Sequence, residues 1–248
     1  MVFVKKYVFC GLTSNPRMRH TDKSDFELRM ERLHLQGNDK MWEIMDPKNN
    51  QMDPVVRKMI ERLPPGASVF EYGAGRGRNA IPLMQSGFAV HVQDIWGAAI
   101  DDLIATASQL SHSILASKSH AAEHELTDSY EAFVCIRLLH FLKPEEAWTV
   151  IENMQSFTYP GGYNAFSFFI DQTVHGPEFF YPSIQELEAY YTERRWTVEV
   201  QSEICPSQPG ESTNGRVMYQ KSMLFRKPEM TGSESLRNAS AQKVGEIL

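Results

Sequence analysis

The sequence predicts an α/β, Rossmann-like fold, a mostly parallel sheet with helices on both faces, and three observations carry that expectation. Strand-like and helix-like segments alternate from residue 68 to residue 225. A glycine-rich turn follows directly on an apolar strand and runs into a helical stretch. An acidic residue closes the next strand.

In chain order, the first forty or so residues are polar, and 24–35 mixes charges with Phe26, Leu28, Met30, Leu33 and Leu35 in an imperfect helical spacing, read as a helix or lid. Asp53-Pro54 supplies an N-cap followed by proline at the first helical position, which starts a helix through Val55, Met59, Ile60 and Leu63. Pro64-Pro65-Gly66 stops it. Strands are expected at 68–72, 89–93, 132–136, 163–170, 197–204 and 217–225, helices at 79–86, 98–116, 144–157 and 183–194, with one more short strand within 118–126. The polar stretch from Pro228 onward has few large apolar groups to offset the entropy of ordering, so a frayed tail is expected. The domain reading is an N-terminal extension over 1–50, a binding domain over 51–227 and a tail over 228–248.

Composition sets limits on the partners. With 42% hydrophobic and 23% charged residues, a chain of 248 residues has the balance of a globular protein able to bury a core. A net charge of −6 without a basic run argues against nucleic acid, which is bound by clustered Lys and Arg. Cys10, Cys135 and Cys205 are too scattered for a disulfide framework or a zinc site, so no metal is expected and a reducing, cytoplasmic setting fits. The apolar opening of the chain carries two lysines and is too short to span a membrane, so no membrane partner is expected. A monomer or homodimer is the expected state.

The turn reads Glu71-Tyr72-Gly73-Ala74-Gly75-Arg76-Gly77, with Asn79 opening the helix after it. Glycines here let the backbone approach a nucleotide-like ligand and adopt dihedrals that a Cβ forbids. A dinucleotide fingerprint places its third glycine at the sixth position, where this chain has Arg78. The third glycine comes one place early. Asp94 lies twenty-one residues after Gly73, at the end of the next strand, where a carboxylate can accept both hydroxyls of a ribose. Ile95 and Trp96 follow, and the indole offers a flat apolar cover for an adenine or a core side chain.

G-x-G-x-G preceded by an acidic residue resembles the first motif of class I S-adenosylmethionine-dependent methyltransferases. Glu71 to Asn79, then Gly87-Phe88-Ala89-Val90 with Asp94, then Asn153-Met154-Gln155 and Pro160-Gly161-Gly162-Tyr163-Asn164, and Tyr190-Tyr191, resemble the bacterial tellurite-resistance methyltransferases. The resemblance runs from about Leu63 to Phe225. It implies a methyltransferase fold with a seven-stranded sheet and an antiparallel last strand. It implies S-adenosyl-L-methionine as cofactor, S-adenosyl-L-homocysteine as product, and a cofactor site of Glu71, Gly73, Ala74, Gly75, Gly77, Asn79, Asp94, Ile95, Trp96 and Arg137, with Glu71 near the methionine ammonium. The chain departs from the family in having Glu71 for Asp, Ala74 for Cys, and Gln208-Pro209-Gly210 where the family has a neighbouring His and Arg; Asn214-Gly215-Arg216 matches its later Arg. The resemblance therefore names the methyl donor and leaves the acceptor open.

On the acceptor side, methyl transfer requires in-line placement and exclusion of water, and a base only where the nucleophile carries a proton. His175, Asp171, Arg216 and His140 are the catalytic candidates, His175 as base and Arg216 as partner of an anionic acceptor, in loops where strand ends and aromatic residues could form a pocket for a small-molecule acceptor. His140 also reads as a histidine flanking the next helix, and Arg137 as a surface ion pair. His124 and Glu125 are possible adenine contacts. A nicotinamide-dependent oxidoreductase and a non-catalytic cofactor-binding scaffold remain alternatives to the methyltransferase.

Overall fold

The structure, a computed structural model, describes residues 51–170, 180–206 and 219–229, with side chains omitted at 205 and 206. Contacts divide the chain into units Met1–Asn38 and Asp39–Leu248, and all described residues belong to the second.

Helix α1 (Pro54–Ile60) begins as the sequence predicts: the Asp53 side chain accepts from the Val55 N–H, and Pro54 needs no hydrogen bond in the first turn. There follow β1 (Ser68–Tyr72), α2 (Ala80–Gln85), β2 (Ala89–Asp94), α3 (Gly97–Gln109), β3 (Leu115–Lys118), a 3₁₀ turn at Ala121–Glu123, and β4 (Tyr130–Ile136). A second 3₁₀ turn, Leu139–Phe141, leads to α4 (Pro144–Phe157), β5 (Thr158–Phe169), α5 (Ile184–Thr192), β6 (Thr197–Gln201), β7 (Cys205–Pro206) and β8 (Tyr219–Arg226).

The strands form one sheet in the order β3-β2-β1-β4-β5-β8-β6, with β7 paired to β8. Strands β1 to β5 pair in parallel, and β8 runs antiparallel to β5 and β6. The seven-strand path with a reversed β8 matches the expected fold; β7 is a short addition. The order reverses at β1, which lies between β2 and β4, so the carboxyl ends of β1 and β4 form the crevice where such sheets bind ligands.

Alternation along β1 divides the core in two. Val69 joins α1, α2 and α3 on one face, with Val90, Val92, Ile100, Leu103 and Val134. Phe70 and Tyr72 join α4 and α5 on the other, with Phe133, Val150, Leu187 and Tyr191. Asn164 is buried on β5, accepting from the Thr158 hydroxyl at 2.7 Å and donating to the Tyr191 hydroxyl at 2.9 Å. Tyr191 stacks on Phe225 with centroids 4.0 Å apart. This network accounts for the asparagine of P-G-G-Y-N and for one member of the Tyr190-Tyr191 pair: they tie β5, α5 and β8 together.

Several boundaries differ from expectation. Helix α3 stops at Gln109 instead of 116, because Ser111 adopts a left-handed conformation (φ 59) and the His112 N–H returns to the Ala107 carbonyl. The expected short strand lies earlier, at Leu115–Lys118, and 121–123 is a 3₁₀ turn. Strand β5 starts at Thr158 rather than 163, and the expected strand 197–204 stops at Gln201 as β6, with β7 a separate pairing just beyond the expected range.

Candidate functional site

Glycines 73, 75 and 77 all have positive φ (67, 53 and 88), so the chain leaves β1 in a turn that only glycine adopts without strain three times over. Two of its N–H groups, those of Gly73 and Ala74, donate to the Gln93 carbonyl at 2.8 and 3.1 Å, which holds the turn against the end of β2. The Gly75 N–H donates to Asp94 Oδ2 at 2.7 Å, and the Trp96 N–H to Asp94 Oδ1 at 2.8 Å. Both oxygens of Asp94 are thus oriented by backbone donors, and the Ile95 N–H contributes a third hydrogen bond to the carboxylate. Burial pushes its pKa up, and the hydrogen bonds from Trp96 and Gly75 oppose the rise.

Glu71 is the deeper of the two acids, 2% exposed. Its Oε1 accepts from Asn79 Nδ2 at 2.7 Å, while Oε2 is buried and makes no hydrogen bond among the described residues. Burial pushes the carboxyl up to about 8; Asn79 and the Arg78 charge pull it down, and Asp94 adds to the rise. A buried acid with one unpartnered oxygen suits a cationic ligand, whose charge offsets the desolvation. The residues at this end of the sheet therefore fit the aminoacyl and ribose groups of an S-adenosyl cofactor.

The other expected site residues fall into distinct places. Asn79 caps α2 in position but makes no capping bond with its side chain; its amide bridges Glu71 and the Asp53 N–H. Gly77 faces the protein: a Cβ there would lie 2.3 Å from Leu103 Cδ1 and 3.0 Å from Ile81 Cγ1, so this glycine packs α2 against α3. Ala74 is buried in the turn, and Ile95 and Trp96 are half-buried beyond Asp94. The Arg76 guanidinium lies 5.3 Å from the Trp96 ring, with its Nε 3.5 Å from Asp102, and braces the indole.

Arg137 ends β4 with a left-handed backbone (φ 55), its N–H donating to the Ser167 carbonyl at 2.6 Å. Strain of this kind at a non-glycine residue gathers where ligands bind. His140 is buried in the following 3₁₀ turn, with Phe141 at 4.2 Å and Phe169 at 4.6 Å between ring centroids. His124 joins an aromatic cluster with Phe70, Tyr72 and His91, and Glu125 is exposed, so packing within the second core accounts for His124. Asp171, His175 and Arg216 lie outside the described residues.

Sequence reasoning missed Gln93 and Asp53. Gln93 is 1% exposed, holds the glycine turn through its carbonyl and donates its amide to the Ser119 carbonyl. A polar residue just before the acid that ends β2 was its available signal. Asp53 had none beyond capping, because its link to Asn79 spans twenty-six positions.

Comparisons with known proteins identify the family and the fold. The family described as "Tellurite resistance protein TehB" matches residues 47–205. The chain is 25% identical over 178 residues to "Hemagglutinin 1" of Eikenella corrodens, covering 70% of this chain and 58% of that protein. Its fold superposes on the crystal structure of TehB from Haemophilus influenzae with a TM-score of 0.63 at 25% identity, covering 71% of this chain and 62% of that one. The chain thus spans about three fifths of the length of both relatives. Magnesium protoporphyrin IX methyltransferase from Synechocystis, solved with bound S-adenosyl-L-homocysteine, shares the fold with a TM-score of 0.62 at 15% identity, covering 82% of this chain and all of that one. With a family match over more than half of its length, on a methyltransferase-type sheet, this chain belongs to the TehB family.

Proposed function

We propose that this chain is an S-adenosyl-L-methionine-dependent methyltransferase acting on a small-molecule nucleophile, at S, N, O or a metalloid. The observation that carries the reading is the pair of acids flanking the glycine turn at the switch point: Glu71 with an unpartnered buried oxygen, and Asp94 fixed by two N–H donors. Asp94 binds the ribose hydroxyls, and Glu71 binds the methionine ammonium. The half-buried Trp96, braced by Arg76, covers the adenine. When bound, the cofactor supplies an electrophilic methyl carbon on a sulfonium, and S-adenosyl-L-homocysteine is released after transfer.

The protein's part is alignment and exclusion of water. Arg137 and the turn Leu139–Phe141 follow β4 at the carboxyl end of the sheet and are assigned to the wall of the site. Asp171, His175 and Arg216 are assigned to the acceptor side from sequence, His175 taking the proton of a protonated nucleophile and Arg216 pairing with an anionic one. A small acceptor agrees with the net charge of −6 and with the lack of a basic run for nucleic acid. No helix of the described residues is long and apolar enough to cross a membrane.

Incubation with methyl-labelled S-adenosyl-L-methionine and pooled thiols, amines, phenols and metalloid oxyanions, read by mass spectrometry, tests the proposal. Labelled product in one pool, abolished by Asp94→Ala, is expected. Tight cofactor binding with no transfer to any pool would overturn the small-molecule reading.

A further inference from the structure

A buried polar relay runs from the cofactor acid to the start of α1. Asn79, 2% exposed, donates from Nδ2 to Glu71 Oε1 at 2.7 Å and accepts at Oδ1 from the Asp53 N–H at 2.9 Å. Asp53, 5% exposed, in turn accepts from the Val55 N–H and begins α1. One amide therefore satisfies an orphan N–H at a helix entry and a buried carboxyl at the site, using one donor and one acceptor that an asparagine presents on opposite sides. The remaining oxygen of Glu71 is buried and has no hydrogen-bond partner among the described residues.

The geometry points to Asn79 as a positioning residue: it fixes the Glu71 carboxyl with Oε2 turned to the aminoacyl end of the cofactor, and through the same amide couples occupancy of that site to the docking of α1. This deepens the cofactor reading above and rests on it. Asn79 does not need to touch the cofactor, because both ends of its amide are already engaged within the protein.

The groups that act on Glu71 are Asn79, Arg78 and the Ala80 backbone N–H at the start of α2, Asp94 at the end of β2, and the Cys135 thiol on β4, itself pushed up by burial and by the Glu71 charge. The donor from Asn79 favours the ionised carboxyl over the protonated one. Without it, ligand binding has to ionise an acid of still higher pKa. That gives the relay a signature that simple loosening of the fold lacks.

The test is calorimetric titration of S-adenosyl-L-homocysteine into the full chain between about pH 6 and pH 9, with Asn79→Ala, Asn79→Asp, Glu71→Gln and the Asn79→Ala/Glu71→Gln pair. Asn79→Asp keeps an acceptor for the Asp53 N–H but replaces the donor to Glu71 by a second carboxylate. It preserves the tie to α1 while raising Glu71 by like-charge repulsion as well as by loss of the donor, and serves if the alanine variant folds poorly. Both Asn79 variants should bind at least about tenfold more weakly near pH 6.5, one pKa unit or more, with the gap closing as pH rises and Glu71 ionises unaided. In the Glu71→Gln background the alanine change should add only a pH-independent factor. Saturating ligand should slow hydrogen exchange across 54–60 in the wild type and not in Asn79→Ala. An equal loss at every pH, or the same protection of α1 in the variant, overturns the inference while leaving cofactor binding intact. Absence of binding by the wild type at any pH removes the cofactor reading and this inference with it.

Discussion

The last two glycines of the turn should separate stability from binding when each is changed to alanine. At Gly77 a Cβ would sit 2.3 Å from Leu103 Cδ1 and 3.0 Å from Ile81 Cγ1, on a backbone with φ 88. Leu103 is fully buried, so it can move only by displacing its neighbours in the α1–α3 core. A left-handed alanine costs about 1–2 kcal/mol. Overpacking a filled core adds about 1–3 kcal/mol. The sum of about 2–5 kcal/mol corresponds to a fall in Tm of about 4–20 °C for a domain of this size. Since that Cβ points into the protein, affinity for S-adenosyl-L-homocysteine, measured well below the new Tm, should change by less than about threefold, under 1 kcal/mol. At Gly75, whose N–H is held by Asp94, alanine should cost less stability, about 1–2 kcal/mol of backbone strain, and more than about tenfold in affinity. Differential scanning fluorimetry and calorimetry on the two variants give both numbers. A Gly77→Ala protein that melts with the wild type, or that loses its ligand while keeping its Tm, would refute the packing argument.

Other consequences follow from the same geometry. With its pKa pushed up to about 8, ligand-free Glu71 is protonated at pH 7 in roughly nine molecules of ten, so binding an ammonium should release close to one proton, read from the buffer dependence of the binding enthalpy. Because the folded state holds that proton more tightly than the unfolded one, the Glu71 contribution to stability is present below about pH 4.5 and is lost as pH rises towards 8; Glu71→Gln should remove that loss in pH-dependent melts. His91 behaves in the opposite sense. Burial first, then His124, lower it to about 4, with Asp128 opposing, and its ring bonds the Tyr130 hydroxyl at 2.7 Å and the Ser117 hydroxyl at 3.2 Å. Its contribution is present above about pH 6.5 and is lost as pH falls towards 4, so His91→Gln should flatten urea-measured stability across that window. Lys227 donates to the Gln155, Ser156 and Thr158 carbonyls at 2.8, 3.4 and 2.6 Å, closing the end of α4; Lys227→Met should lower unfolding free energy by about 1–3 kcal/mol with no change in cofactor affinity.

What was legible in the sequence was what neighbouring residues determine together. Asp53-Pro54 announces a helix, and an apolar strand running into G-x-G-x-G announces a turn with left-handed backbone. Asp94 stands out because a strand end and an acid coincide. The helix α3 boundary was hidden because its left-handed stop is Ser111, where glycine or asparagine would have signalled it. Strand β3 was blurred because it lies at the sheet edge with Leu115 69% exposed, so no buried face imposes a period on its residues. Within the site, the acids and glycines could be read, but their division of labour could not. That Gly77 packs helices, that Asn79 reaches back to Asp53, and that Arg137 takes a strained backbone are properties of contacts between segments distant in sequence. His124, suggested as an adenine contact by its place after β3, also packs against the rings of Phe70 and His91, contacts no local pattern announces.

The central claim is that Glu71 and Asp94, held about the glycine turn, form an S-adenosyl site. Calorimetric titration of S-adenosyl-L-homocysteine into the wild-type chain and into Asp94→Ala tests it most directly. Asp94 is held by backbone N–H groups of the glycine turn and of the β2 end and is assigned to the ribose hydroxyls, so its removal should weaken binding by about 2–4 kcal/mol, roughly thirty-fold to a thousand-fold, in a protein that still unfolds cooperatively. No binding by the wild type, or equal affinity in a folded Asp94→Ala protein, would contradict the account.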